Sequence, residues 1–279
     1  MNNLALRLIT GSVYVGVTCL ALLWRHESAL IFHLLVAGFC AYELLRLISP
    51  KQSTLNRLIG TASTLAVSGF AYINQDSLIN AGYFNNIFIF VGLLFMAYVL
   101  LTSKNDPISY LGGLMVSWIY IGVSLGLFFR IGQMELGGET MSLLPFDGGP
   151  ILFVFVLIWV NDSFAYVFGR LLGRHKLAPS ISPKKTIEGF VGGLIASVAV
   201  GYFFGTEIVP IEDTQLAVFG AVISLSANLG DLFESKIKRT LGVKDSGTAL
   251  PGHGGFLDRF DSVLFAGPAA YAFLLFFVN

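Results

Sequence analysis

Apolar runs long enough to cross about 30 Å of hydrocarbon as helices recur along the chain, separated by short polar breaks. They run over 8–24, 29–45, 58–73, 87–101, 111–129, 151–168, 189–205, 216–233 and 262–278. The pattern predicts an all-α, polytopic integral membrane protein with about nine transmembrane helices. Composition agrees: 55% of the 279 residues are hydrophobic and 12% charged, with a mean hydropathy of +0.75. That is about half the charge of an average soluble domain. The stretch from Met1 to Trp24 has the look of a signal peptide, but no small-residue cleavage site precedes Arg25, so it is expected to remain as the first span.

Net charge is zero, so the information lies in where the charges fall. With the N-terminus inside, alternate breaks collect Arg7; Arg46, Lys51 and Arg57; Lys104; Arg170, Arg174, Lys176, Lys184 and Lys185; and Lys236, Lys238, Arg239, Lys244 and Arg259. Only Arg25 and Arg130 of the 17 Lys and Arg fall in the other set, which carries Asp76, Glu135, Glu139, Asp147, Glu207, Glu212 and Asp213. The bias predicts a cytoplasmic N-terminus and an external C-terminus. Cys19 and Cys40 sit in apolar runs with neither metal-ligand nor disulfide spacing.

The first half offers little chemistry. Glu43 and Arg46, one helical turn apart, are expected to pair at the interface. Gly112, Gly113, Ser117, Gly122 and Gly126 predict close helix contact in the fifth run, and the Gly-rich, acidic segment 131–150 reads as a solvated connection. In the sixth run Asn161 and Asp162 lie about two turns from Arg170, and a carboxylate there is costly unless it faces a polar cavity or a partner. A basic loop follows, in which Ser182 and Pro183 fit an N-cap and first helical position that would aim backbone N–H groups, Lys184 and Lys185 at an anion. The simpler reading of Arg170, Arg174 and Lys176 is topology alone. Gly189, Gly193, Ser197, Gly201 and Gly205 then recur every four residues, a packing stripe.

The densest charge lies between Asn228 and Asp261. Asn228, Asp231, Ser235 and Lys238 share one face of a helix leaving the membrane, with Gly242 as its stop. His253, Gly254 and Gly255 form a turn that admits close backbone approach, and Asp258 and Asp261 flank Arg259 at the mouth of the last run. Acids at helix ends beside bases suit a hard cation such as Mg²⁺ bridging phosphates; a network of interfacial salt bridges is the competing explanation.

The run Ser235-x-Ile237-Lys238-Arg239, four residues, Lys244-Asp245-x-Gly247-x-x-Leu250-Pro251-x-His253-Gly254-Gly255-Phe256-x-Asp258-Arg259-Phe260-Asp261 resembles the signature of phosphatidate cytidylyltransferases, the CDP-diacylglycerol synthases. Upstream, Asn161-Asp162 with Ala165-Tyr166 and Gly169-Arg170, Ser182-Pro183-Lys184-Lys185-Thr186 with Glu188-Gly189, and Gly230-Asp231-Leu232 with Glu234-Ser235 also look like that family. The resemblance covers the last 120 or so residues strongly. It implies an enzyme of phospholipid biosynthesis that joins CTP and phosphatidic acid into CDP-diacylglycerol, releasing pyrophosphate, with a divalent cation required.

On that reading Asp231 and Asp258 are expected as metal ligands, Asp261 as a further ligand or supporting acid, and Asp162 as a weaker candidate; a second ion is left open. Lys238, Arg239, Lys244 and Arg259 would contact phosphates, with Ser182, Lys184, Lys185 and Ser235 completing the substrate site, and His253, Gly254 and Gly255 shaping the nucleotide pocket. Residues 1–279 are expected as one membrane domain, 1–150 as helical scaffold and 151–279 as the catalytic part. The resemblance places it in a bacterial cytoplasmic membrane with its site facing the cytoplasm. No nucleic-acid partner is expected; a homodimer through the N-terminal helices is compatible with the pattern. Two other functions fit parts of it: CTP-dependent transfer to another lipid phosphate or alcohol, and a transporter with coupling carboxylates. A transporter would want acids near the midplane and in both halves, which the first half lacks. No G-x-x-x-x-G-K-[ST] loop occurs, and the acids are sparser than in CDP-alcohol phosphotransferases.

Overall fold

A computed structural model describes residues 3–73, 78–102, 106–134, 146–247, 249 and 254–278. In chain order the helices are α1 (Asn3–Trp24), α2 (His26–Ile48), α3 (Thr54–Ile73), α4 (Leu78–Thr102) and α5 (Pro107–Ser117). A π-helical segment, Trp118–Val123, joins α5 to α6 (Ser124–Arg130). After α7 (Gly149–Leu171) come a hairpin of β1 (Lys176–Ala178) and β2 (Ser182–Thr186), then α8 (Ile187–Phe204), α9 (Asp213–Thr240), α10 (Leu257–Phe260) and α11 (Val263–Val278). Among the described residues, the apolar runs therefore become nine helical rods, counting α5 to α6 as one and α10 to α11 as one.

Six of these are long and apolar enough to cross a membrane: His26–Ile48, Pro107–Gln133, Gly149–Leu171, Ile187–Phe204, Asp213–Thr240 and Leu257–Phe277. Thr10–Trp24 and Ile89–Leu101 are shorter apolar helices. The protein is thus an all-α membrane protein, and six of the nine expected crossings meet the length and hydropathy requirement among the described residues.

One core joins both halves of the chain. It gathers Leu22 from α1, Val36 and Cys40 from α2, Phe128 and Phe129 from α6, Phe153 and Leu157 from α7, Phe219 and Ile223 from α9, and Leu264 and Phe273 from α11. The small-residue stripe on α8 acts as expected: a Cβ on Gly193 would stand 2.6 Å from the Asn161 carbonyl of α7, and one on Gly201 would stand 2.2 Å from the Leu216 carbonyl of α9. Ser197 Oγ donates to the Leu157 carbonyl at 3.2 Å, so α8 lies tightly between α7 and α9. The fifth rod packs likewise on α3, with Thr64 and Ser117 hydroxyls 2.9 Å apart and Gly126 against the Ser68 carbonyl.

Two local expectations change. Ser182 and Pro183 do not start a helix. They lie in β2, paired with β1 in the register Lys176↔Thr186 and Ala178↔Ser182, and α8 begins four residues later with Thr186 as N-cap, its Oγ1 accepting from Gly189 N–H at 3.2 Å. The strand pairing satisfies backbone groups that a helix start would leave open. The 131–150 connection is also anchored rather than free at its ends: Ile131 and Phe146 are buried, and Asp147 N–H donates to the Gly132 carbonyl at 2.7 Å. Its middle, 135–145, lies outside the described residues.

Helix α9 decides where the site sits. At about 1.5 Å per residue its 28 residues extend about 42 Å, more than about 30 Å of hydrocarbon, and the charges from Asp231 to Arg239 lie toward its C-terminal end. That end stops at Gly242, in the left-handed region (φ +72), where Gly242 N–H bonds the Arg239 carbonyl and Val243 N–H bonds the Lys238 carbonyl. This paired arrangement satisfies the last carbonyls and turns the chain back toward α10.

Candidate active site

The C-terminal end of α9, the start of α10, the hairpin before α8 and the end of α2 converge at one pole of the bundle. Two groups of charges form there.

In the first, Lys185 of β2 pairs with Asp231 of α9 at 2.5 Å, and Ser235 Oγ donates to the other Asp231 oxygen at 3.1 Å. Because side chains alternate along a strand, Lys184 points away from this pair, exposed and without an ionic partner among the described residues. A Cβ on Gly230 would stand 2.4 Å from the Asp261 carbonyl, which brings α9 against the α10–α11 junction at this level. Asp261, Asp231 and Asp162 consequently repel one another, while Lys185 and Arg259 attract Asp162. Asp162 is exposed and within electrostatic range of Lys185, Asp231 and Arg259. Its neighbour Asn161 turns inward, accepting from Ser224 Oγ at 2.7 Å and Asn228 Nδ2 at 3.2 Å while donating to Asp162 at 3.1 Å. Tyr14 of α1 reaches the same cluster, packed edge-on against Phe260 and within electrostatic range of Arg259 and Asp261.

The second group is buried. Lys238 lies between Glu234, an i,i+4 neighbour on α9, and Asp258 of α10, the latter at 2.6 Å. Asp258 is already rich in donors: besides Lys238, its second oxygen accepts from Ser246 N–H (2.9 Å), Ser246 Oγ (3.0 Å) and Gly255 N–H (2.8 Å). Gly254 has φ +82, and a Cβ there would meet Asp258 Oδ2 at 2.5 Å; the turn requires glycine on both grounds.

Glu43 is a correction to the sequence reading. It does not pair with Arg46 but faces the loop: its carboxylate, 7% exposed, accepts from Ser246 Oγ, Phe256 N–H and Leu257 N–H. The physical reason is supply. Those donors at the start of α10 would otherwise be buried unpaired, whereas Arg46 is a residue that water can solvate.

The remaining expected residues are placed as follows. Asp258, expected with Asp231 as a metal ligand, accepts from Lys238, Ser246 and Gly255. Arg239 is exposed and donates to the Val243 carbonyl at 3.0 Å, securing the end of α9; Lys244 and Arg259 are exposed at the same pole. Ser182 is half-buried in β2 and Gly255 lies under Asp258 and Glu43, while His253 is outside the described residues. His175 is a loop residue held with Glu188 at 2.6 Å. Glu234 and Glu43, which sequence reasoning did not select, prove central to the buried network. The only sequence signal for Glu43 was a carboxylate inside an apolar run.

Asp231, Asp261 and Asp162 are the carboxylates that would meet a divalent cation here. Three mutually repelling carboxylates outnumber the one lysine paired with them, and oxygen ligands suit a hard ion. Among the described residues no group of three or more His, Cys, Asp or Glu side chains is arranged to hold a metal ion.

Comparison with known proteins matches residues 5–277 to the cytidylyltransferase family. The chain is 36% identical over 240 residues to a phosphatidate cytidylyltransferase of Bacillus subtilis, covering 85% of this chain and 84% of that one. It is 38% identical over 246 residues to one from Staphylococcus saprophyticus, covering 86% of each, and 36% identical over 246 residues to one from Staphylococcus epidermidis, again 86% of each. With its carboxylates and bases gathered at one pole of a membrane bundle, and a family match running almost from end to end, this chain belongs to the cytidylyltransferase family.

Proposed function

We propose that this protein transfers the CMP group of CTP to phosphatidate, giving CDP-diacylglycerol and pyrophosphate, at a site on the cytoplasmic face of a bacterial cytoplasmic membrane. The observation that carries the reading is the convergence of Asp231, Asp261 and Asp162 with Lys185 and Arg259, beside the buried Lys238–Asp258 pair, at the pole where α9 ends. A nucleotide in water and a lipid headgroup can both reach that level.

The chemistry needs no protein nucleophile. A phosphatidate oxygen attacks the α-phosphorus of CTP; the new P–O bond forms as the bond to the β-phosphate oxygen breaks, and pyrophosphate leaves. What the protein must supply is alignment of two anions and compensation of the charge that gathers on the phosphoryl oxygens. A divalent cation such as Mg²⁺, held by Asp231 and Asp261 with Asp162 beside them, would neutralise phosphate charge and orient both substrates. Lys185 holds Asp231 in place, and Lys184, Arg259 and Lys244 are exposed cations free to meet phosphates. Asp258 serves a different purpose: it fixes Lys238 and draws Ser246 and Gly255 together. The acyl chains remain in the bilayer beside exposed Phe164, Tyr166 and Val167, which flank Asp162 on α7.

The test is acceptor choice. Purified protein supplied with CTP and Mg²⁺ should make a lipid-soluble cytidine product from phosphatidate and not from diacylglycerol or a polyprenyl phosphate. A preference for either of the latter would move the protein to another CTP-dependent lipid transfer.

A further inference from the structure

We infer that Glu43, on α2 in the half of the chain without recognisable chemistry, is a positioning residue that ties Ser246 to the Gly254–Gly255 turn and the start of α10. The inference rests on the transferase reading above. Three polar groups converge on this one carboxylate: the Ser246 hydroxyl (3.0 Å), whose single hydrogen is shared with Asp258, and Phe256 N–H (3.1 Å) and Leu257 N–H (2.9 Å). Glu43 thereby ties Ser246 to Phe256 and Leu257. The close approach is built in, since a Cβ on Gly247 would stand 2.5 Å from one Glu43 oxygen and a Cβ on Gly255 would stand 2.3 Å from the other.

The same contact reaches the buried charges. The Ser246 hydroxyl lies 3.0 Å from Glu43 Oε2 and 3.0 Å from Asp258 Oδ2, and Asp258 in turn holds Lys238. The chain of contacts therefore runs from Glu43 through Ser246 and Asp258 to Lys238. A carboxylate in an apolar helix is costly to bury, and among the described residues its hydrogen bonds go to Ser246, Phe256 and Leu257. Glu43 needs no contact with substrate to act: it sets where the Gly254–Gly255 turn and the start of α10 lie relative to Asp261.

Glu43→Gln separates positioning from general stability. The amide keeps the shape but has one acceptor oxygen where Phe256 N–H and Leu257 N–H each bond a different carboxylate oxygen, so one of these N–H groups loses its partner. Two readouts are taken on detergent-purified full-length protein well below its thermal midpoint. Amide hydrogen exchange over 246–257 should rise selectively against that of α7 and α8. The kcat/KM for CTP should fall about tenfold, the size of one unmade charged hydrogen bond. Unchanged exchange, or normal kcat and KM at a temperature where the variant is fully folded, would overturn the inference. If Glu43→Gln does not fold, Ser246→Ala gives the same test with Glu43 intact, since it removes only the hydroxyl between the two carboxylates; normal exchange and kinetics there would equally overturn it. Should the wild type lack transferase activity, the proposed function fails while hydrogen exchange still decides the role of Glu43.

Discussion

Replacing Lys238 with Met should destabilise the protein far more than replacing Lys185 with Met, although each removes a lysine bonded to an aspartate at nearly equal distance. Lys185 and Asp231 are 2.5 Å apart, with side chains 26% and 33% exposed. Water competes for both, so the loss is about 1 kcal/mol or less. Lys238 is 11% exposed and stands between Glu234 and Asp258, at 1% and 6%. Removing it leaves two buried carboxylates facing each other, and breaking a buried pair in this way costs about 3–5 kcal/mol. Thermal midpoints measured in the same detergent should rank wild type and Lys185→Met close together and Lys238→Met well below. Adding Glu234→Gln to Lys238→Met removes one stranded charge and should recover part of the loss. Equal midpoints for the two single variants, or no recovery in the double, would refute the view that Lys238 holds a buried network together. Activity should not follow this order: Lys185→Met should lose turnover despite its stability, because Asp231 is then no longer oriented.

Asp231→Asn and Asp261→Asn should each lower turnover by about 100-fold or more while the protein still inserts and purifies, as expected when a group supporting transition-state charge is removed; near-normal turnover at saturating Mg²⁺ would remove that residue from the cation site. Asp258→Asn should cost both activity and thermal stability, because Lys238 and the Ser246 and Gly255 N–H groups all converge on its carboxylate. Chelation of divalent ions should abolish turnover, and Mg²⁺ should restore it; activity that persists in excess chelator would contradict the cation requirement. Reporter tags on the two termini should lie on opposite sides of the membrane, and the same side for both would exclude nine crossings.

The helical rods were legible because a run that must cross hydrocarbon can hardly be anything but apolar and helical. The end of α9 was legible for a local reason as well, since Gly242 marks a left-handed stop whose bonds all lie within a few residues. Pairings between distant segments were not. Ser182-Pro183 carries the local marks of a helix start, and only its pairing with Lys176–Ala178 makes it a strand. Glu43 looked like a partner of Arg46 because both are one turn apart, whereas its real partners lie more than 200 positions away, with |i−j| of 203 to Ser246. Asp231 and Asp258 looked alike as acids at helix ends. The difference between them, one accessible beside Lys185 and the other enclosed by donors, appears only when α2, α9 and α10 are brought together.

The central claim is that CMP moves from CTP onto the phosphate of phosphatidate. Parallel reactions of the purified protein with phosphatidate and Mg²⁺, one with CTP labelled at the α-phosphate and one at the γ-phosphate, test it directly. The account predicts that α-label enters the lipid phase as CDP-diacylglycerol while γ-label is released entirely as pyrophosphate. Transfer of γ-label to lipid, or no lipid-borne α-label under conditions in which a known phosphatidate cytidylyltransferase is active, would contradict it.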